Sequence, residues 1–129
     1  TFYIITNKLK KGKVSSPENL KKMYLEGMEI GSHTVTHLDV RYADHKKVES
    51  ELKESKKILE EILGTKVEHF CYPIGYTTEY ALKTLKTEGY KTAVETASGK
   101  ANKAQGYLEL KRIRIDYNDS VKMFLNKIK

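Results

Sequence analysis

The 129-residue sequence has no tryptophan, one cysteine and two prolines. It contains no apolar run approaching the roughly 18 residues that a membrane-spanning helix requires, so no helical span is expected. Cys71 stands alone, which excludes an internal disulfide. Its place in the apolar run Phe70-Cys71-Tyr72 marks it as a buried thiol rather than a nucleophile. No internal repeat and no low-complexity segment is present, and a chain of this length builds one domain around one core. Thr1 is followed by no signal-peptide pattern, so the chain reads as a processed product or a fragment. The nine tyrosines form no stacking array of the kind that binds single-stranded nucleic acid.

What is present is the composition of a folded protein, 39% hydrophobic and 32% charged. The net charge of +7 would suit nucleic acid, an anionic cell-wall polymer or an acidic membrane surface. The lysines, however, are interleaved with glutamates over every candidate helix, as on a solvated face. The one dense basic run, Lys8-Leu9-Lys10-Lys11-Gly12-Lys13, falls in a polar loop expected over Lys8 to Ser15.

The periodicity alternates between strand and helix. Phe2 to Thr6 is a continuous β-branched and aromatic run and predicts a buried strand. Ser16-Pro17-Glu18 predicts a helix start, with Leu20, Met23 and Tyr24 inside and Gly27 as the stop. Met28 to Ser32 predicts the next strand. Asp44 predicts the cap of a longer helix whose apolar stripe is Val48, Leu52, Ser55, Leu59 and Ile62, stopped at Gly64. Val67 to Tyr72 reads as a strand broken at Pro73. Thr78 caps a helix with Leu82 and Leu85 inside, ended at Gly89. Tyr90 to Val94 and Leu110 to Ile115 read as strands around a polar loop at Ala97 to Gly106. Asp119 is the expected cap of a last helix carrying Val121, Phe124, Leu125 and Ile128. Such alternation predicts an α/β fold with a mostly parallel sheet and outer helices, whose functional groups gather at the C-terminal strand ends.

Two clusters sit at such ends. His33 and His37 are four residues apart, so a helical turn of backbone would bring both imidazoles to one point. Neutral imidazole suits zinc and its first-row neighbours, whereas capping or core roles remain the alternative. A catalytic zinc needs a third protein ligand. Thr34, Thr36 and Asp39 are placed to hydrogen-bond the ring N–H groups. In Phe70-Cys71-Tyr72-Pro73-Ile74-Gly75, Pro73 ends the strand and Gly75 permits a turn. Such a turn aims the Ile74 N–H into a cleft, or it is an ordinary strand-end turn. His45 reads as a solvated first-turn residue and His69 as structural. Arg112 and Arg114 share one strand face, toward solvent or toward the mouth of a site.

Together the two clusters resemble the polysaccharide deacetylase family, the carbohydrate esterases of the chitooligosaccharide-deacetylase type. Gly27 to His37 is similar to its His-Ser/Thr-x-x-His motif, and Phe70 to Gly75 to its Phe-Ala-Tyr-Pro-Tyr-Gly motif. The resemblance implies an incomplete (β/α) barrel over residues 1–129, lacking its N-terminal part. It implies that His33 and His37 hold a divalent metal, zinc first of all. The Ile74 N–H would be the oxyanion donor, Arg112 a catalytic-site residue, and Tyr72, Pro73 and Gly75 substrate-binding. The third ligand and the general base, aspartates of a Thr-Phe-Asp-Asp motif, are then expected upstream of Thr1. Four departures stand out. Cys71 occupies a position where many members have an arginine that orients the base. Ile74 replaces a tyrosine. No tryptophan supplies the fourth motif, and no histidine the fifth. The implied activity is metal-dependent removal of N-acetyl groups from a cell-wall or extracellular polysaccharide, outside the cell or at its envelope. A non-catalytic carbohydrate-binding domain of the same fold is the alternative, and a basic nucleic-acid-binding domain a more distant one. With no preceding strand, Phe2 to Thr6 would be an exposed edge open to association with other chains.

Overall fold

The structure is a computed structural model that describes residues 1–11 and 16–129. Five parallel strands form one sheet: β1 (Phe2–Ile4), β2 (Ile30–Ser32), β3 (His69–Cys71), β4 (Thr92–Ser98) and β5 (Leu110–Arg112). Their spatial order follows the chain, and the register runs through Ile4 opposite Ser32, Ser32 opposite Phe70 and Phe70 opposite Ala93. The helices are α1 (Pro17–Leu25), α2 (His45–Leu63), α3 (Glu79–Thr87) and α4 (Val121–Ile128). Because all strands point one way, their C-terminal ends make a single rim. The two marked clusters both stand on it, after β2 and after β3.

Local chemistry sets the helix ends. Ser16 Oγ accepts from the Asn19 N–H at 3.3 Å, and Pro17, which has no N–H to leave unpaired, opens α1. Asp44 caps α2 through the Lys47 N–H at 2.9 Å. Gly64 closes α2 in the left-handed region at φ 71, where a side chain would be strained. Thr78 caps α3 through the Ala81 N–H. The last cap differs from expectation. Ser120, not Asp119, accepts from the third helical N–H, that of Met123. Asp119 lies one residue too early, so its carboxylate folds back onto the Asp116 N–H and the Lys127 ammonium, at 2.7 and 2.6 Å.

β1, β2, β3 and β5 are shorter than the runs that announce them, whereas β4 starts later than Tyr90 and runs on to Ser98, into the loop expected from Ala97. The expected loop at Lys8 begins instead with a 3-10 helix over Thr6–Lys11, while the rest of it, 12–15, lies outside the described residues. α2 is the spine of the core. Its Val48 and Leu52 pack with Phe70, Tyr72 and Tyr90, whose rings meet edge to face at centroid separations of 5.2 and 5.5 Å. Its Leu59 and Leu63 pack with Ile4, Ile30, Leu20 and Val67. Between sheet and helix, Ser32 and Ser55 hydroxyls satisfy each other at 2.7 Å.

β1 is not the doubly buried strand that its composition suggests. Among the described residues it has β2 alone as a sheet neighbour, and Phe2 is 50% exposed. β5 ends the other side, so the sheet is open at both edges among the described residues. The apolar residues of α4, among them Val121, Phe124, Leu125 and Ile128, are all exposed.

Two outcomes are expected. The 129-residue chain should self-associate as concentration rises, through its apolar edge and the α4 face, and light scattering will read this as a growing mean mass. Gly31→Ala should destabilise the fold by about 1–3 kcal/mol, the usual cost of overpacking. The added Cβ would fall 2.6 Å from the Tyr3 ring and 2.9 Å from the His69 carbonyl oxygen, and the second is backbone that cannot retreat. A lower urea midpoint checks it.

Candidate active site

The first loop grows out of the sheet's hydrogen bonding. The His33 N–H still donates to the Ile4 carbonyl at 3.0 Å, and the Thr6 and Asn7 N–H groups donate to the Thr34 and Val35 carbonyls. Beyond that the backbone is not helical. Thr34 and His37 both take positive φ, 64° and 68°, which is costly for residues with a Cβ. The buried Thr34 hydroxyl holds this shape by accepting from the N–H groups of His37 and Leu38 at 2.9 and 3.2 Å. The imidazoles meet all the same, edge to face, with centroids 4.8 Å apart.

His33 is fixed by its neighbour strand. Its Nδ1 lies 2.6 Å from the Cys71 carbonyl oxygen. A carbonyl only accepts, so Nδ1 carries the proton and Nε2 keeps its lone pair. Burial lowers the pKa of His33 and outweighs the raising effect of that bond; the His37 ring and the Arg112 guanidinium lower it further. The ring is therefore held neutral, as a metal ligand must be.

The expected supports of the rings are reassigned. Thr34 bonds backbone, Thr36 donates to Glu51, and Asp39 is taken by a two-pronged pairing with Arg41, so none of the three bonds a ring nitrogen. Glu51 is the residue that sequence reading passed over. Its carboxylate receives the N–H groups of Val35 and Thr36 at 2.9 and 2.8 Å and the Thr36 hydroxyl at 2.9 Å. The signal was there: Glu51 follows Val48 by three and stands next to Leu52, on the apolar face of α2, where a carboxylate needs partners.

The second loop turns tightly. Ile74 adopts φ 60 and Gly75 φ 83, and the Gly75 N–H closes onto the Tyr72 carbonyl at 3.0 Å. The Thr96 hydroxyl donates to the Ile74 carbonyl at 3.2 Å and lies so close to Gly75 that a Cβ there would sit 2.1 Å from its oxygen. Ile74 is half exposed at the rim. Tyr72 and Pro73 are not: both side chains are fully buried, and the Tyr72 hydroxyl donates to the Leu108 carbonyl. They shape the turn from beneath. Thr34, His37 and Ile74 are the non-glycine residues with positive φ among the described residues, and all three belong to these two loops.

Arg112 ends β5 with its Nε donating to the Glu95 carbonyl at 2.8 Å. Its charge acts on both His33 and Cys71, whereas Arg114 turns to Asp116. Cys71 is buried, which pushes its thiol up, away from nucleophilic use. His69 bonds Thr92 and Glu29 and is structural. His45 is not simply solvated but stacks on Tyr80 at 3.8 Å.

Two adjacent imidazoles, that of His33 held neutral with its tautomer set, fit part of a divalent-metal site. Among the described residues no group of three or more His, Cys, Asp or Glu converges to complete one. The family model for polysaccharide deacetylase matches residues 1–93. The chain belongs to the polysaccharide deacetylase family. It is 33% identical over 98 residues to YxkH of Bacillus subtilis (strain 168), covering 76% of this chain and 35% of that protein. It is 31% identical over 94 residues to the peptidoglycan-N-acetylglucosamine deacetylase of Bacillus cereus, covering 73% of this chain and 42% of that enzyme. The structure of the Streptococcus pyogenes deacetylase PplD in complex with acetate superposes with a TM-score of 0.93 at 31% identity, over 98% of this chain and 57% of that one. The fold is thus the α/β fold of the polysaccharide deacetylases, and the chain spans well under two thirds of each of these relatives.

His33 should titrate below the ordinary histidine value of about 6.5 and show the Nδ1–H tautomer in nitrogen-detected NMR. The sign for stability follows. Below pH 6.5 the unfolded chain takes up a proton that the folded ring refuses, so His33 destabilises the fold progressively as pH falls toward its depressed pKa. The denaturant midpoint of the wild type should fall relative to that of His33→Asn as the pH drops below 6.5, and the difference between the two should become independent of pH above neutrality.

Proposed function

We propose that this domain hydrolyses N-acetyl groups from an N-acetylhexosamine polymer of the cell wall or extracellular matrix, with His33 and His37 as two ligands of a divalent metal, zinc in our reading. The observation that supports it most is the pairing of the two rings with His33 Nδ1 donated to the Cys71 carbonyl, which leaves Nε2 free as a donor atom. A bound ion would polarise the acetamide carbonyl and lower the pKa of water. The chain's own residues would do the rest. The Ile74 N–H, on its strained turn, would donate to the oxyanion, a contribution typically of about 3 kcal/mol. Tyr72, Pro73 and Gly75 would serve the substrate from below, by holding the shape of that turn. Arg112, whose charge reaches Cys71, would supply from β5 the positive charge that many members place at the Cys71 position, and would orient the base. We further propose that the third ligand and the base are carboxylates outside these 129 residues, in keeping with the longer relatives. A location at or beyond the cell surface fits the curated relative named for peptidoglycan. No helix of the described residues is long and apolar enough to cross a membrane.

The test is acetate release from an N-acetylglucosamine oligomer, with and without chelator and added zinc. The 129-residue chain should release little. A version extended through an upstream aspartate pair should be active, and His33→Ala or His37→Ala in it should lose at least a hundredfold in rate. Undiminished release by either variant would reject the metal role. Polymer binding without release by the extended form would favour a carbohydrate-binding module instead.

A further inference from the structure

The two proposed ligands are not joined by helix, so something must hold the five-residue loop in its unusual shape. Thr34 restrains the far end through the His37 N–H, but the middle, Val35 and Thr36, projects from the sheet with successive N–H groups pointing the same way. Such a pair forms a small concavity that attracts an anion. Here the anion is a side chain. Glu51 of α2, 2% exposed, places one carboxylate oxygen against both N–H groups at 2.9 and 2.8 Å, and its other oxygen against the Thr36 hydroxyl at 2.9 Å. Lys47, one turn earlier, lies 3.2 Å from the same carboxylate and leaves it neither unpaired nor fully exposed. Hydrogen bonds to an ionised acceptor are about twice as strong as neutral ones. Three of them converge on two residues that lie between His33 and His37.

We propose that Glu51 is a positioning residue for the histidine pair. It acts on the ligands through the backbone of Val35 and Thr36, so that the loop presents both rings before any metal arrives. α2 is the longest helix and is anchored in both parts of the core. The carboxylate therefore ties the ligand loop to the helix that packs into both parts of the core. The inference rests on the metal-binding role proposed for His33 and His37.

The experiment measures zinc affinity of the 129-residue chain by calorimetry, together with the thermal midpoint and far-UV circular dichroism. It compares wild type with His33→Ala, Glu51→Leu and Glu51→Gln. Glu51→Leu removes every acceptor at similar volume, and its zinc affinity should fall 10- to 100-fold, the range seen when a support behind a ligand is lost. Glu51→Gln keeps an oxygen for the two N–H groups and should restore affinity to within about threefold of wild type, a rescue that general loss of stability would not produce. A folded Glu51→Leu protein that binds zinc within twofold of wild type overturns the inference, as does a Gln variant no better than the Leu variant. Where Glu51→Leu lacks the native spectrum, Thr36→Val decides. It removes one bond from the loop side, should cost three- to tenfold in affinity, and overturns the inference if affinity is unchanged. Zinc binding equal in wild type and His33→Ala refutes the metal reading and the inference with it. Binding that is lost in His33→Ala but indifferent to Glu51 refutes the inference alone.

Discussion

The hydrogen bond from His33 Nδ1 to the Cys71 carbonyl joins the two loops that make the site, and much of the architecture is arranged so that it can form. It requires β2 and β3 to be adjacent and parallel, with Ser32 opposite Phe70. A slip of one residue would send Phe70 to the wrong face and remove it from the ring cluster with Tyr72 and Tyr90, so the apolar core defends the register. Core packing and site geometry are thereby one constraint. The register that buries Phe70 also puts a carbonyl where the histidine needs its proton accepted.

Strain is the second organising feature. Thr34, His37 and Ile74 occupy a backbone region that residues with a Cβ avoid, at a cost of order 1–3 kcal/mol each. Each is held by partners that leave little choice: the Thr34 hydroxyl on two N–H groups, Glu51 on the middle of the loop, Thr96 over the Gly75 turn. Rigid helices and strands supply those partners, which is how short loops can keep a defined shape at the rim of a sheet.

The open sheet has the opposite character. Among the described residues β1 and β5 each lack an outer neighbour, and α4 shows its apolar residues to solvent. The site is built on the interior strands β2 and β3, where pairing on both sides fixes position. Phe2 and the apolar residues of α4 are exposed outside the two loops, whereas Ile74, and Tyr76 just after it, expose apolar surface at the second loop.

Much of the secondary structure was legible from residues within a few positions of one another. Ser16, Asp44, Thr78 and Gly64 do in the structure what their types and spacing announce, because a cap or a helix stop depends on a reach of three or four residues. Parallel order was legible too, from the alternation of strand and helix, and so were the two clusters at strand ends. The cap of α4 was misplaced by one residue, since Asp119 and Ser120 are both good caps and only the turn at Asp116 chose between them. The composition of β1 predicts a buried strand because it reports apolarity but not the number of neighbours a strand finds, whereas the resemblance to the longer family pattern predicts the exposed edge that Phe2 shows. The site's supports were the least legible. Thr36 and Asp39 sit beside the histidines in sequence, yet they serve Glu51 and Arg41. The carbonyl that sets His33's tautomer is 38 residues away, and the carboxylate that holds the loop is 15 and 16 residues from its N–H partners. The sequence by itself determined the elements and the residue types at the strand ends. Only the tertiary structure decided which groups touch, because hydrogen bonds across a sheet or from a helix depend on register and packing, and these arise from the whole core rather than from spacing along the chain.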